Sequence, residues 1–187
     1  MLALDKVTAI LLFVCALFLS GCEESIVQPP QEEPTLMLSS SFEMDGNPTL
    51  VGWRPANSFL TSFASDTPPG GGSWSLKLDA DWAPTTGFVY AAPPGIRSGD
   101  IIQLSAYVKA LGETGGGSVE IRTGSTVWGA AGKMVSINDT SWTRISVMDT
   151  VAIGEGDSIW VVLSSLHTEL VSRTGLFDLV SVEKITP

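Results

Sequence analysis

Residues 101–110 read Ile-Ile-Gln-Leu-Ser-Ala-Tyr-Val-Lys-Ala. In an extended chain Ile102, Leu104, Ala106 and Val108 share one face, and Gln103, Ser105, Tyr107 and Lys109 share the other. Side chains of a strand point alternately to its two faces, so this pattern marks a strand with one face in a core and one outside it. The stretch is bounded by Pro93-Pro94-Gly95 and Ser98-Gly99-Asp100 before it and by the glycine-rich run 112–118 after it. Both boundaries have turn composition.

The same grammar extends in both directions. Towards the C-terminus, strands are predicted at 119–122, 133–137, 142–147, 158–163 and 175–185. The 158–163 stretch is almost continuously apolar and reads as a central strand. In the last, Leu176, Asp178, Val180 and Val182 fall on one side and Phe177, Leu179, Ser181 and Glu183 on the other. Towards the N-terminus, strands are predicted at 88–92, 74–79, 58–65 and 36–43. About ten short strands at regular spacing, without a sustained helical period, predict two packed antiparallel sheets, an all-β sandwich or jelly roll. Trp74, Trp142 and Trp160 are expected in its core, whereas Trp53, Trp82 and Trp128 fall in or near irregular segments.

Ahead of this region the character changes. Residues 7–19, VTAILLFVCALFL, form a short apolar run after a start carrying Lys6, and Leu19-Ser20-Gly21-Cys22 follows at once. A brief basic start, a short apolar core and small residues at a cut site make a secretory signal, and the run is too short to span a membrane comfortably. The Leu-Ser-Gly-Cys sequence resembles the bacterial lipobox. That resemblance implies cleavage before Cys22 and acylation of its thiol, with several acyl chains giving firm attachment to a lipid bilayer. It also implies a cell-envelope location. Glu23 rather than Asp at the next position favours the outer membrane where there is one. The domains are therefore a signal peptide at 1–21, a polar, acidic, proline-rich tether at 22–35 and a β-sandwich at 36–187.

Several function classes are excluded by composition. Cys15 leaves with the signal and Cys22 is modified, so the mature domain has no disulfide, thiolate nucleophile or cysteine metal site. The net charge is −10, and the signal removes one acid and one base, leaving it unchanged. Such a body is a poor nucleic-acid binder, because phosphate contacts need Lys and Arg. The single histidine, His167, sits in a polar stretch, and no Gly-x-Ser-x-Gly elbow occurs. Paired acids such as Asp79 and Asp81 read as turn residues. The chain is not expected to be an enzyme.

Six stretches now fall in order: Ser41-Phe42-Glu43, Gly52-Trp53, residues 72–78 (GSWSLKL), residues 99–110 (GDIIQLSAYVKA), Ser141-Trp142-Thr143-Arg144 and residues 175–182 (GLFDLVSV). Together they resemble the jelly-roll carbohydrate-binding modules found beside xylanases and glucanases, within the wider galactose-binding-like fold. The resemblance covers about residues 37–185. It implies non-catalytic binding of a polysaccharide or other glycan. It also implies a structural calcium ion fed by Glu43 and Asp178, although a salt bridge from Lys77 would satisfy Asp178 equally well. For the sugar platform it implies aromatic rings flanked by amides. Tyr107 is the leading candidate, with Gln103 on its face and Trp53, Trp82 and Trp128 in the irregular segments. The alternative is a structural or protein-interaction lipoprotein that uses the same sandwich without sugar.

Overall fold

A computed structural model of the chain describes residues 33–80, 87–128, 132–165 and 173–185. Cys22, Trp82, His167 and the signal and anchor region lie outside the described residues. Among the described residues no helix is long and apolar enough to cross a membrane.

The domain is an all-β jelly-roll sandwich of two main antiparallel sheets. The strands are β1 (Thr35–Ser40), β2 (Glu43–Met44), β3 (Asn47–Pro48), β4 (Arg54–Pro55), β5 (Thr61–Ala64), β6 (Ser75–Asp79) and β7 (Phe88–Ala91). They continue with β8 (Ile101–Leu111), β9 (Gly117–Gly124), β10 (Lys133–Ile137), β11 (Thr143–Thr150), β12 (Ser158–Ser165) and β13 (Thr174–Ile185). One sheet has six strands in the order β11-β8-β13-β6-β5, with β1 also paired to β13. The other has five, β10-β9-β12-β7-β4. A small hairpin, β2-β3, stands apart.

The alternation read at 101–110 holds through β8, where Ile102, Leu104, Ala106 and Val108 are fully buried. They meet Val119, Ile121, Val161 and Leu163 of the opposite sheet in one continuous core. Phe42, Phe177 and Leu76 are the largest wholly buried side chains of that core. Burying such side chains contributes roughly 1.5–3 kcal/mol each, which lets the domain stand without a disulfide.

Three local departures from simple alternation matter later. The first predicted strand stops at Ser40, because Phe42 takes a left-handed φ of 54° and the chain turns into the β2-β3 hairpin. Residues 58–60 form a 3-10 turn before β5 begins. In β13 the register to β8 shifts between Asp178 and Ser181, around Leu179 at φ 46°. A bulge adds one residue and so inverts the faces beyond it. Phe177, Val180 and Val182 therefore enter the core, while Leu176 and Asp178 lie on the other side of the sheet. The predicted single-sided set Leu176, Asp178, Val180 and Val182 is corrected by this bulge.

Candidate functional site

The strand beside β13 changes at the bulge. β6 pairs with residues up to Phe177, and β1 takes over from Val180. Asp178 stands at this junction, and its carboxylate is wholly buried. One oxygen, Oδ1, accepts a hydrogen bond from the backbone N–H of Leu179 at 2.7 Å. The other, Oδ2, has no hydrogen-bond partner among the described residues. Burial pushes this carboxyl up to about 6; the Leu179 hydrogen bond opposes that shift, and the nearby charge of Glu43 adds to it.

Glu43 reaches the same place from the other end of the chain. Its Oε2 accepts the backbone N–H groups of Ser73 at 2.5 Å and Trp74 at 3.1 Å. The loop between β5 and β6 packs glycine against both acids. A Cβ on Gly71 would come 2.5 Å from Asp178 Oδ2, and one on Gly72 would overlap the Glu43 carboxylate. Both acids also adjoin a bulky residue in the left-handed region, Phe42 before Glu43 and Leu179 after Asp178. Strain of this kind persists only where the surroundings over-determine it, and it clusters at ligand sites. Lys77, the competing partner, pairs instead with Asp79 at 3.3 Å. Among the described residues no group of three or more acids, histidines or cysteines gathers as a metal cluster. An oxygen-seeking ion here would draw its remaining ligands from carbonyls, hydroxyls and water. An orphaned buried oxygen, a second carboxylate and a glycine cradle fit a hard cation such as calcium.

Tyr107 and Gln103 lie on the outer face of the six-stranded sheet, half-buried, as their alternation predicts. Gln103 donates to Ser105 Oγ at 3.3 Å. The loop before β6 is pinned towards the same face. Asp66 accepts from Lys109 at 2.6 Å and from the Trp142 indole at 2.9 Å. These two hydrogen bonds, Lys109 first, hold the Asp66 carboxyl below its usual range. The outward-facing Leu176 is wholly buried, and Pro68 of the same loop is buried too. Trp53 is not exposed. It packs in the core at 5% exposure with its ring 5.7 Å from Phe42, because the turn after Leu50 directs it between the sheets.

The outer face of the five-stranded sheet carries a second constellation. Register aligns Arg54, Tyr90, Val162, Glu120 and Met134 in one row across it. The next row sets Trp160 beside Arg122. Aromatic rings run across this face: Trp128 meets Phe88 edge-on at 4.8 Å, Phe88 tilts against Tyr90 at 6.2 Å, and Tyr90 meets Trp160 edge-on at 5.7 Å. Glu120 is buried and bonded to Arg122 at 2.6 Å, and Arg122 also donates to the carbonyl of Val127 at 3.0 Å. That contact draws the segment after β9 across the sheet, where Val127 packs with Phe88 and Val162 and Trp128 stays 67% exposed. Beyond it a shallow pocket of about 220 Å3 remains, lined among the described residues by Gly52, Arg54, Tyr90, Ala91, Ala92 and Trp160.

The core assignment of three tryptophans is corrected here. Trp74, Trp142 and Trp160 are all only half-buried, and each indole N–H reaches an acceptor: the Gly46 carbonyl, Asp66 and the Gly124 carbonyl. Sequence reasoning passed over Tyr90, Trp160 and Arg54. A signal was present: Ile159, Val161 and Leu163 alternate with Trp160, Val162 and Ser164, and only the first set is wholly aliphatic.

No family model and no curated protein matches the sequence. Solved structures do match. The CBM22-1 xylan-binding domain from Paenibacillus barcinonensis superposes with a TM-score of 0.60 at 15% identity, covering 83% of this chain and 98% of its own. The C-terminal family 22 carbohydrate binding module from Clostridium thermocellum gives 0.55 at 11% identity, over 80% of this chain and 93% of its own. The N-terminal CBM22-1–GH10 modules of the Clostridium thermocellum endo-1,4-beta-D-xylanase 10B, complexed with xylohexaose, give 0.56 at 14% identity. That match covers 82% of this chain and 29% of the longer one. At such identities the likeness is one of fold, the jelly-roll sandwich predicted from the strand pattern.

Proposed function

We propose that the domain binds a glycan without cleaving it, on the outer face of the five-stranded sheet. The observation that carries this reading is the open pocket in which Tyr90 and Trp160 stand edge-to-face and Arg54 shares the lining. Sugars offer C–H faces to aromatic rings and hydroxyl rims to charged or amide donors, and a shallow pocket walled by two rings and one cationic residue has both kinds of group. The likeness of fold to xylan-binding domains supports the same reading. Glu120, a carboxylate on this face, is buried and ion-paired, which leaves it poorly suited to the paired-carboxylate chemistry of a glycosidase.

In the same reading Glu43 and Asp178 hold a structural calcium ion, which would neutralise the unpartnered Asp178 oxygen and fasten the β2-β3 hairpin to β13. Cys22 carries the lipid that ties residues 22–35 and the domain to a bilayer of the cell envelope, with the outer membrane favoured by Glu23.

The test is affinity electrophoresis of the full chain, in a non-glycosidic detergent, through gels containing xylan, glucan or mannan. Retardation by one of them is expected, and it is expected to be lost in Tyr90→Ala and Trp160→Ala and kept in Tyr107→Ala. Loss in Tyr107→Ala alone would move the site to the six-stranded sheet. No retardation with any glycan, at millimolar calcium, would favour the protein-interaction alternative. The largely exposed Trp128 beside Phe88 supports that alternative, as an anchor for a partner surface.

A further inference from the structure

Charge on the proposed glycan face runs against that of the whole chain. The chain carries a net −10. Among the described residues the pocket lining nevertheless contains Arg54 and no carboxylate. Arg122, beside Trp160, is neutralised by Glu120 at 2.6 Å. Arg54 is exposed and forms no ion pair among the described residues. Its strand is only two residues long and sits at the sheet edge, paired with Tyr90 and Val89 of β7. An acidic chain has many carboxylates with which to cover a guanidinium, and among the described residues the one charged residue lining the pocket is a cation without an ion pair.

We infer that the glycan is acidic: a uronic-acid unit enters the pocket with its carboxylate on the Arg54 guanidinium and its C–H face against Tyr90 or Trp160. This rests on the glycan-binding reading and specifies its substrate class. The guanidinium presents a planar fork of N–H donors that matches a carboxylate in bidentate fashion, and such charge-assisted pairs are about twice as strong as neutral hydrogen bonds. The long-range repulsion between a negative protein and a negative polymer is screened beyond roughly 10 Å at 0.1 M salt, so the local contact decides.

The experiment compares one polysaccharide in two forms. A glucuronic-acid-substituted xylan is used as it is and after carboxyl reduction, which turns each uronate into its neutral hexose and changes little else. The full chain should bind the native form about tenfold more tightly than the reduced form, the equivalent of about 1.4 kcal/mol. In Arg54→Gln, with an unchanged melting temperature as the check on folding, the ratio should fall to about one. Equal affinity of the wild-type chain for both forms would overturn the acidic-ligand inference and leave glycan binding standing. Equally tight binding of a sulfated, uronate-free polyanion would also overturn it, by showing an unspecific anion site. Failure to bind either form of the xylan or any neutral glycan would instead bring down the glycan reading itself.

Discussion

Asp178 is a buried carboxyl group with one oxygen satisfied and one not. Its folded value, about 6, lies above that of an unfolded Asp, near 3.9. Without metal, the folded state therefore holds this proton more tightly, and its contribution to stability is complete below about pH 4 and lost as pH rises through about 6. The size is roughly 2–3 kcal/mol. In chelator, Asp178→Asn is expected to be about as stable as wild type at low pH and more stable at pH 7.5. Thermal melts of both proteins across that range check it. Calcium, which favours the ionised form, should raise the wild-type melting temperature at pH 7.5 and have little effect on Asp178→Asn. An unchanged wild-type melt with and without chelator would remove the ion from the account. Gly72→Ala drives a methyl group into the Glu43 carboxylate and should destabilise by about 1–3 kcal/mol while weakening the calcium response.

At the scale of the element, the bulge in β13 decides the most. Phe177 enters the core before it and Val180 and Val182 after it, which simple alternation forbids. Deleting Leu179 restores strict alternation and turns either the Phe177 side or the Val180–Val182 side outward. The expected loss exceeds about 4 kcal/mol, the level reserved for core disruption, and circular dichroism should show no cooperative melt. Strand β8 needed no such help: its faces were legible in residues 101–110, and so was the outward place of Tyr107. Strands β7 and β12 were not legible in the same way. Phe88, Tyr90 and Trp160 are themselves largely apolar, so hydrophobicity separates inside from outside only weakly, through the wholly aliphatic set Ile159, Val161 and Leu163. The outer rings cluster on one another, with Tyr90 and Trp160 half-buried in the pocket wall, which is the arrangement a sugar platform needs. Tyr90→Ala or Trp160→Ala should lower glycan affinity about tenfold or more in a chain that still melts cooperatively, at a somewhat lower temperature because each ring packs against the Phe88–Val162 cluster.

The molecule as a whole joins an acidic sandwich to a segment that resembles a lipidation signal. Growth of the expressing bacterium with labelled palmitate should label the wild-type chain and leave Cys22→Ser unlabelled; an unlabelled wild-type chain would rule out the anchor. The mature domain is expected to melt identically with and without reductant, since no cysteine follows residue 22.

The longer strands, sandwich class, acidity and the absence of cysteine after residue 22 follow from composition and period-two patterning, which are local properties of the chain; the two-residue strands β2, β3 and β4 do not, because they are too short to show a period. The candidacy of Glu43 and Asp178 was also visible, through motif order and one acid in an otherwise apolar strand. Tertiary structure alone decided that Lys77 turns to Asp79, that Trp53 enters the core, and that Arg54, Tyr90 and Trp160 meet on one face. Each of these depends on which distant strands pair and in what register. Pairing is settled by the packing of two sheets over a common core, and no stretch of ten residues contains that information.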